Sequence, residues 1–259
     1  VFDTNTINNL PNQINGEIKE LFSSKKLNKL ELPVQQDSKD TLIIQISEGC
    51  LGDCNYCATK FARGKLKSYS ISDIVNAIKG FKGTRVNLTS QDTGCYGYDI
   101  DTNLANLLKE IVKLEGDFIV RVGMMNPEHI LKFLPDFVEI FKDKRFMRFL
   151  HIPIQSGSNK ILKEMNRKYT VEQFKELVNA LRKDIPDIHI ATDIIIGYPT
   201  ETEEDFLETK KFLEEMNFEV LNLSKYTARP GTYSKKNLKP LKSEIVKERS
   251  IIFDKFIKK

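Results

Sequence analysis

The stretch EGCLGDCNYCATKFARGK, residues 48–65, holds three of the chain's four cysteines, Cys50, Cys54 and Cys57, in the spacing C-x3-C-x2-C. Thiolates are soft ligands suited to zinc or to iron–sulfur clusters. A loop that wraps around one small volume brings three of them to one metal centre. A structural zinc site closes with four ligands, and the remaining candidates are Cys95, His129, His151 and His189, none of which lies near the loop in sequence. Three thiols without an obvious fourth suit a four-iron cluster that leaves one iron open for a substrate or cofactor. Tyr56, an aromatic directly before the third cysteine, supports that reading. Four cysteines in a chain this long do not make a disulfide scaffold; clustered cysteines in a reducing compartment mean metal or catalysis.

Such a loop needs a scaffold, and the flanking pattern describes one. With 259 residues and 40% hydrophobic content the chain can bury a core of full-domain size. Extended apolar stretches at 41–46, 84–90, 117–124, 146–154, 188–199 and 219–226 alternate with segments at 70–81, 102–115, 127–141, 158–166, 170–183 and 202–216. In the latter, apolar residues recur every three or four positions, as one buried helix face requires. Ser72 before Asp73, and Thr202 three positions before Asp205, are helix-start signals. Strand, helix, strand, repeated about six times, predicts an α/β fold of parallel strands joined by right-handed crossovers. Six units are too few for a closed eight-stranded barrel, so a partial barrel and a doubly wound open sheet both remain. In either fold function collects at the carboxyl ends of the strands, and the cysteine loop sits just past the first of them.

Residues 1–40 read as a linker with one short helix at 17–22, residues 41–240 as the barrel-like domain, and residues 241–259 as a charged amphipathic helix that packs on the domain or leads to another. The chain begins with Val1 and not methionine, which reads as a piece of a longer protein. No run approaches the roughly 18–20 apolar residues of a membrane span, and a signal peptide's basic start and apolar stretch are missing. The expectation is a cytoplasmic protein with no membrane partner. Net charge is only +4, but it is unevenly spread. Residues 60–67 carry Lys60, Arg63, Lys65 and Lys67, and residues 224–242 carry Lys225, Arg229, Lys235, Lys236, Lys239 and Lys242, with no acid in either run. Basic runs are ordinarily solvated surface; these two follow the first and sixth strands and so border the same mouth.

The C-x3-C-x2-C loop with its aromatic resembles the signature of radical S-adenosylmethionine enzymes. The resemblance implies that three cysteines bind a 4Fe-4S cluster whose fourth iron is chelated by S-adenosylmethionine. One electron then cleaves that cofactor to methionine and a 5'-deoxyadenosyl radical, which abstracts a hydrogen from the substrate. It also implies a partial (β/α)6 TIM-like barrel, the first of the two folds left open above. The segments LTSQDTGCYGYD, RVGMMNPEHI, HIPIQSGSNKILKEMNRKYT, DIIIGYPTETEEDF and KYTARPGT look like successive landmarks of the radical methylthiotransferases. ARGKLKSY, GMMNP and NRKYT most resemble the archaeal and eukaryotic branch that adds a methylthio group to threonylcarbamoyladenosine beside the anticodon of tRNA. Related members act on isopentenyl-adenosine in tRNA or on an aspartate of a ribosomal protein.

Carried to this sequence, the resemblance makes Cys50, Cys54 and Cys57 the cluster ligands and lays the backbone around Tyr56 against the adenine. Gln91 and Asp92, ending the second strand, would hold the methionine amino group, and Arg121 would meet its carboxylate. Gln155 and Ser156 are candidates for the ribose or methionyl end; Asp193 and the GYPTE turn at 197–201 would flank the adenine or the substrate. No catalytic residue is named. Cys95 stands where a small residue such as alanine is expected and reads as an inert packed thiol; Thr200 stands where the turn usually has glycine. Complete methylthiotransferases carry an upstream domain with a second, three-cysteine 4Fe-4S cluster and a downstream RNA-binding β-barrel. One leftover cysteine is too few to build the second cluster in this chain.

The basic residues Lys60, Arg63, Lys65, Lys67, Lys225 and Arg229 around the mouth would attract RNA phosphates without reading sequence. The target base would be splayed out and drawn into the barrel. The implied partners are tRNA and an electron donor such as a flavodoxin or ferredoxin, with the protein a monomer. Two rivals from other classes are a zinc-knuckle RNA-binding module without catalysis and an electron carrier.

Overall fold

In a computed structural model, which describes residues 15, 28–31 and 39–257, each of the six apolar stretches forms a strand. β1 (Thr41–Gln45), β4 (Arg85–Thr89) and β5 (Ile119–Val122) pair in parallel in the order β1-β4-β5, and β6 (Phe149–His151), β7 (His189–Ile196) and β8 (Val220–Lys225) in the order β6-β7-β8. The halves join where the Val120 N–H donates to the Arg145 carbonyl at 2.7 Å and the Met147 N–H to the Val120 carbonyl at 2.9 Å. Spatial order therefore follows chain order, without the reversal of a doubly wound sheet. Among the described residues β1 and β8 do not pair, so the fold is a partial (β/α)6 barrel.

Alternation along the strands explains which face holds the core. Ile44, Val86, Leu88, Val120, Leu150, Ile190 and Ile194 are at most 3% exposed and point toward the helices. Their neighbours on the concave face stay open: Ile43 is 59% exposed, Ile119 46% and Val220 39%. The covering helices are α2 (Ile71–Ile78), α3 (Leu104–Val112), α4 (Pro127–Ile130), α5 (Leu134–Phe141), α6 (Asn159–Glu164), α7 (Val171–Asp184) and α8 (Glu203–Met216), preceded by a short α1 (Thr59–Arg63) in the cysteine region.

Local chemistry sets the helix ends. Thr202 and Asp205 form the reciprocal capping box expected for α8, and Thr170 with Gln173 forms a second one on α7 that the sequence reading passed over. The cap of α2 is Ser70 and not Ser72: the Ser70 hydroxyl accepts from the Asp73 N–H at 3.1 Å, and Ser72 is inside the helix. The single helix expected over 127–141 is split by a 3-10 turn, Leu131–Phe133. Pro135 lies at the start of α5; it lacks an N–H and crowds the carbonyl four residues back, so a continuous helix is broken there.

At the carboxyl-terminal end, α9 (Tyr233–Asn237) precedes α10 (Ser243–Ile257). The latter packs on the barrel, with Phe253 stacked on Phe206 at 4.8 Å between centroids. The Arg249 guanidinium reaches the Glu201 carboxylate at 2.6 Å, and Arg249 and Glu201 are 5% and 6% exposed. A helix expected at 17–22 lies outside the described residues.

Candidate metal centre at the barrel mouth

An antiparallel pair, β2 (Ser47–Glu48) with β3 (Lys67–Ser68), pinches the two ends of the cysteine loop together. Gly49 begins the loop with φ +75, and a Cβ there would sit 2.3 Å from the Lys65 carbonyl oxygen; only glycine admits this crossing. Its N–H donates to Gln91 Oε1 at 2.8 Å, fastening the loop to the end of β4. Farther along, the Asn55 amide donates to the Glu164 carbonyl at 2.7 Å and the Asn166 amide to the Asp53 carbonyl at 2.6 Å. The Ser234 N–H at the start of α9 donates to the Asn55 carbonyl at 2.9 Å. The loop is thus held from three sides before any metal binds.

Within it Cys50, Cys54 and Cys57 are free thiols of intermediate burial. A Cβ on Gly52 would lie 3.2 Å from Cys50 Sγ and 3.7 Å from Cys54 Sγ, so both sulfurs converge on that glycine. Each sulfur faces a donor: the Gly52 N–H at 3.1 Å from Cys50, the Thr59 N–H at 3.4 Å from Cys57, and Arg167 Nη1 at 3.3 Å from Cys54. Burial pushes the Cys54 thiol up, and the Arg167 charge opposes it. The neighbouring Cys95 thiol holds the Cys50 thiol down, against its burial. Three sulfurs on one loop with N–H donors behind them suit a cluster bound through thiolates.

Arg167 is the residue that sequence reading missed. α6 ends in a Schellman motif, with the Asn166 N–H on the Lys163 carbonyl at 3.0 Å and the Arg167 N–H on the Leu162 carbonyl at 2.8 Å; Asn166 takes the left-handed φ of 59. That reversal swings Arg167 beneath the loop. Besides Cys54, its guanidinium donates to Asn126 Oδ1 at 2.9 Å, the Pro153 carbonyl at 3.3 Å and the Tyr169 hydroxyl at 2.7 Å. Among the described residues no carboxylate forms an ion pair with it. An asparagine directly after a helical pattern was the available signal for the turn.

The other expected site residues divide into two groups. Facing the mouth or the lumen are Tyr56, Arg121, Gln155 and Asp193. Tyr56 joins Ile195, Lys225, Tyr226 and Arg229 in lining a cavity of about 280 Å³. Arg121 lies over the Phe149 ring at 5.4 Å. Gln155, past β6, has φ 78, a strained conformation for a residue with a side chain and one that clusters at functional sites. Asp193 Oδ1 meets His151 Nε2 at 2.7 Å and accepts from the Asn222 amide at 2.8 Å, and sequence reading had no signal for that trio. The second group commits its polar atoms to the fold. Gln91 supports Gly49, as described; Asp92, 2% exposed, accepts through Oδ1 from the N–H groups of Gly94 and Asn126. Ser156 is buried against Thr209 at 3.3 Å. In the GYPTE turn Glu201 is turned toward α10 and Tyr198 donates to the Glu164 carbonyl at 3.0 Å.

Both basic runs border the loop, because Gly231 lies against the Phe61 ring of α1. Lys60 is paired with Asp53 and Lys67 lies over the Tyr69 ring at 5.7 Å. Arg63, Lys65, Lys225 and Arg229 are exposed.

Residues 44–213 match the Radical SAM superfamily, two-thirds of the chain, and the protein belongs to that family. The family implies a 4Fe-4S cluster and S-adenosylmethionine. A probable threonylcarbamoyladenosine tRNA methylthiotransferase of Pyrococcus abyssi is 48% identical over 234 residues, covering 88% of this chain and 54% of that protein. The human threonylcarbamoyladenosine tRNA methylthiotransferase is 42% identical over 249 residues, 92% of this chain and 43% of that one. The chain thus spans about half the length of these curated relatives. Coproporphyrinogen III oxidase (HemN) of Escherichia coli, a radical SAM enzyme, shares the fold with TM-score 0.58 at 17% identity, over 83% of this chain and 52% of that one.

Proposed function

We propose that this barrel is the radical core of a methylthiotransferase acting on threonylcarbamoyladenosine in tRNA, with Cys50, Cys54 and Cys57 holding one 4Fe-4S cluster. The observation that carries the reading is the set of three free thiols on one loop at the barrel mouth, two of them converging on Gly52 and each facing a donor from Gly52, Thr59 or Arg167. The names and identities of the relatives support the substrate. Bound together, the cluster and S-adenosylmethionine supply one-electron cleavage of a carbon–sulfur bond and hydrogen abstraction by the resulting 5'-deoxyadenosyl group.

The chain's residues supply position. The loop backbone around Tyr56 offers the adenine a wall; Gln155 offers polar atoms to the ribose or methionyl end, and Asp193 flanks the adenine or the substrate. Arg121 offers a guanidinium fork for a carboxylate, a geometry lysine lacks, and Arg167, its donors spent on Cys54, Asn126, Pro153 and Tyr169, backs the loop. Gln91 and Asp92 hold the end of β4 and the loop in register, and Ser156 fixes the turn after β6. Lys60, Arg63, Lys65, Lys67, Lys225 and Arg229 form the rim for tRNA phosphates. A flavodoxin or ferredoxin supplies the electron, a second cluster belongs to a segment outside this chain, and the enzyme works as a cytoplasmic monomer. Among the described residues no helix is long and apolar enough to cross a membrane.

Charge reversal at Arg63, Lys65, Lys225 and Arg229 tests the rim. Binding of an anticodon stem-loop carrying threonylcarbamoyladenosine should weaken by at least about a hundredfold at low salt. The slope of log affinity against log salt should fall by about one unit per lost phosphate contact. Unchanged affinity and slope, measured by fluorescence anisotropy, would remove RNA from this face.

A further inference from the structure

Near Cys50 lies a buried polar cluster that the proposed reaction does not use. Asp92, Cys95 and His129 are buried, and one carboxylate oxygen, the Cys95 sulfur and one imidazole nitrogen all lie within 4.8 Å of one another. Three atoms there lack a hydrogen-bond partner among the described residues: Asp92 Oδ2, His129 Nδ1 and His129 Nε2. Nε2 and Oδ2 are 3.5 Å apart, beyond ordinary N–H···O length. Buried polar atoms in folded proteins are overwhelmingly satisfied; the two imidazole nitrogens face opposite ways, so Asp92 Oδ2 and one of them share a point that calls for an occupant. The side chains of His129 and Asp92 are only 4% and 3% exposed, which excludes bulk solvent.

The donor set selects the occupant. Carboxylate oxygen, imidazole nitrogen and thiolate sulfur together suit zinc and not magnesium or calcium, which take oxygen ligands. Zinc bonds of about 2.0–2.3 Å space tetrahedral ligand atoms about 3.3–3.8 Å apart, so the observed arrangement closes by small side-chain adjustments. The framework is already fixed: Asp92 Oδ1 is spent on the Gly94 and Asn126 N–H groups, leaving Oδ2 alone to ligate. Tyr98 packs edge-on against the His129 ring at 5.4 Å and limits its rotation.

We propose that Asp92, Cys95 and His129 bind a zinc ion, with a water as fourth ligand, forming a structural site separate from the three-cysteine loop. The Cys95 thiol, which donates to the Asp92 carbonyl at 3.2 Å, gives up that proton on binding; Cys95 neighbours Cys50, so the ion braces the wall on which the loop rests. The proposal does not depend on the substrate assigned above.

The test removes the competing thiols. A chain with Cys50, Cys54 and Cys57 all changed to alanine is freed of metal and titrated with Co²⁺. The expected result is one equivalent bound, with the visible bands of tetrahedral cobalt and a thiolate-to-cobalt charge-transfer band, all displaced by Zn²⁺. Cys95→Ser on that background should abolish the charge-transfer band, and His129→Gln should weaken binding by about tenfold or more. No thiolate band, or one that survives Cys95→Ser, overturns the proposal, and a pocket filled by buried water alone gives that outcome. If the triple variant does not fold, zinc is counted in the iron-loaded parent chain and in its Cys95→Ser variant. About one zinc per chain, lost in the variant, supports the site, and its absence from the parent or persistence in the variant refutes it.

Discussion

Arg249→Met is expected to destabilise the protein by about 3–5 kcal/mol, because it leaves the Glu201 carboxylate buried without its counter-charge. The pair is 2.6 Å apart, and Glu201 also accepts from the Gly197 N–H at 3.0 Å. Arg249 also reaches the Glu201 carbonyl at 3.2 Å and the Glu203 carboxylate at 3.1 Å, so this one residue ties α10 to the turn that closes β7. The loss should depend on pH in a defined direction. Burial already raises the Glu201 carboxyl above 4.5, and Arg249 is the main opposing influence; without it the folded value rises further. A carboxyl raised in the folded state gives its stabilisation below its unfolded value and loses it as pH climbs through the folded one. The deficit of the variant should therefore be smallest below about pH 4.5 and grow toward neutrality. Glu201→Gln added to Arg249→Met should recover part of the loss at neutral pH, since no buried charge then remains. Urea melts of the three chains across pH check each point; a pH-independent loss would place the contribution of Arg249 in packing over Phe206, 5.1 Å away, and not in the pair.

Arg167→Met is expected to cost the cluster its hold. The change removes the donor at 3.3 Å from Cys54 Sγ and the links from the guanidinium to Asn126, Pro153 and Tyr169. Hydrogen bonds to charged groups contribute about 1.5–3 kcal/mol each, so a stability loss of at least about 2 kcal/mol should accompany the change. The more specific effect is on the site. Without the cation the Cys54 thiol, already pushed up by burial, ionises less readily, and bound iron should leave to a chelator about tenfold faster or more. Arg167→Lys keeps the charge but not the planar fork, and should recover iron retention in part and the links to Asn126 and Tyr169 little. Equal iron retention in parent and methionine variant would make Arg167 a prop for the turn alone.

Much of this architecture was legible because it rests on spacing and period. The cysteine triplet stands out in any context, and six alternations of strand and helix leave few folds. What remained hidden depends on which way a side chain turns at the end of a strand. Asp92, Ser156 and Glu201 sit at strand ends, as expected, yet Asn126, Thr209 and Arg249, each distant in sequence, draw their polar atoms into the fold. Arg167 was missed for the converse reason: NRKYT carries two cations, and only the left-handed Asn166 folds the first of them under the loop. Cys95 read as a packed thiol, and it is buried with its Sγ on the Asp92 carbonyl at 3.2 Å; spacing did not mark His129 as its neighbour, since α4 carries that residue to it. Helix boundaries were the softest part. Ser70 and Ser72 offer the same hydroxyl two residues apart, and Pro135 splits what apolar period alone reads as one helix.

The central claim is that the three-cysteine loop makes this barrel a radical core, and one anaerobic measurement addresses it directly. The chain is reconstituted with iron and sulfide, its iron is counted, and S-adenosylmethionine and dithionite are added. The account predicts about four irons per chain, lost in Cys54→Ala, with 5'-deoxyadenosine formed only by the chain that keeps them. A chain that loads four irons and leaves S-adenosylmethionine intact, or that keeps its iron without Cys54, would contradict it.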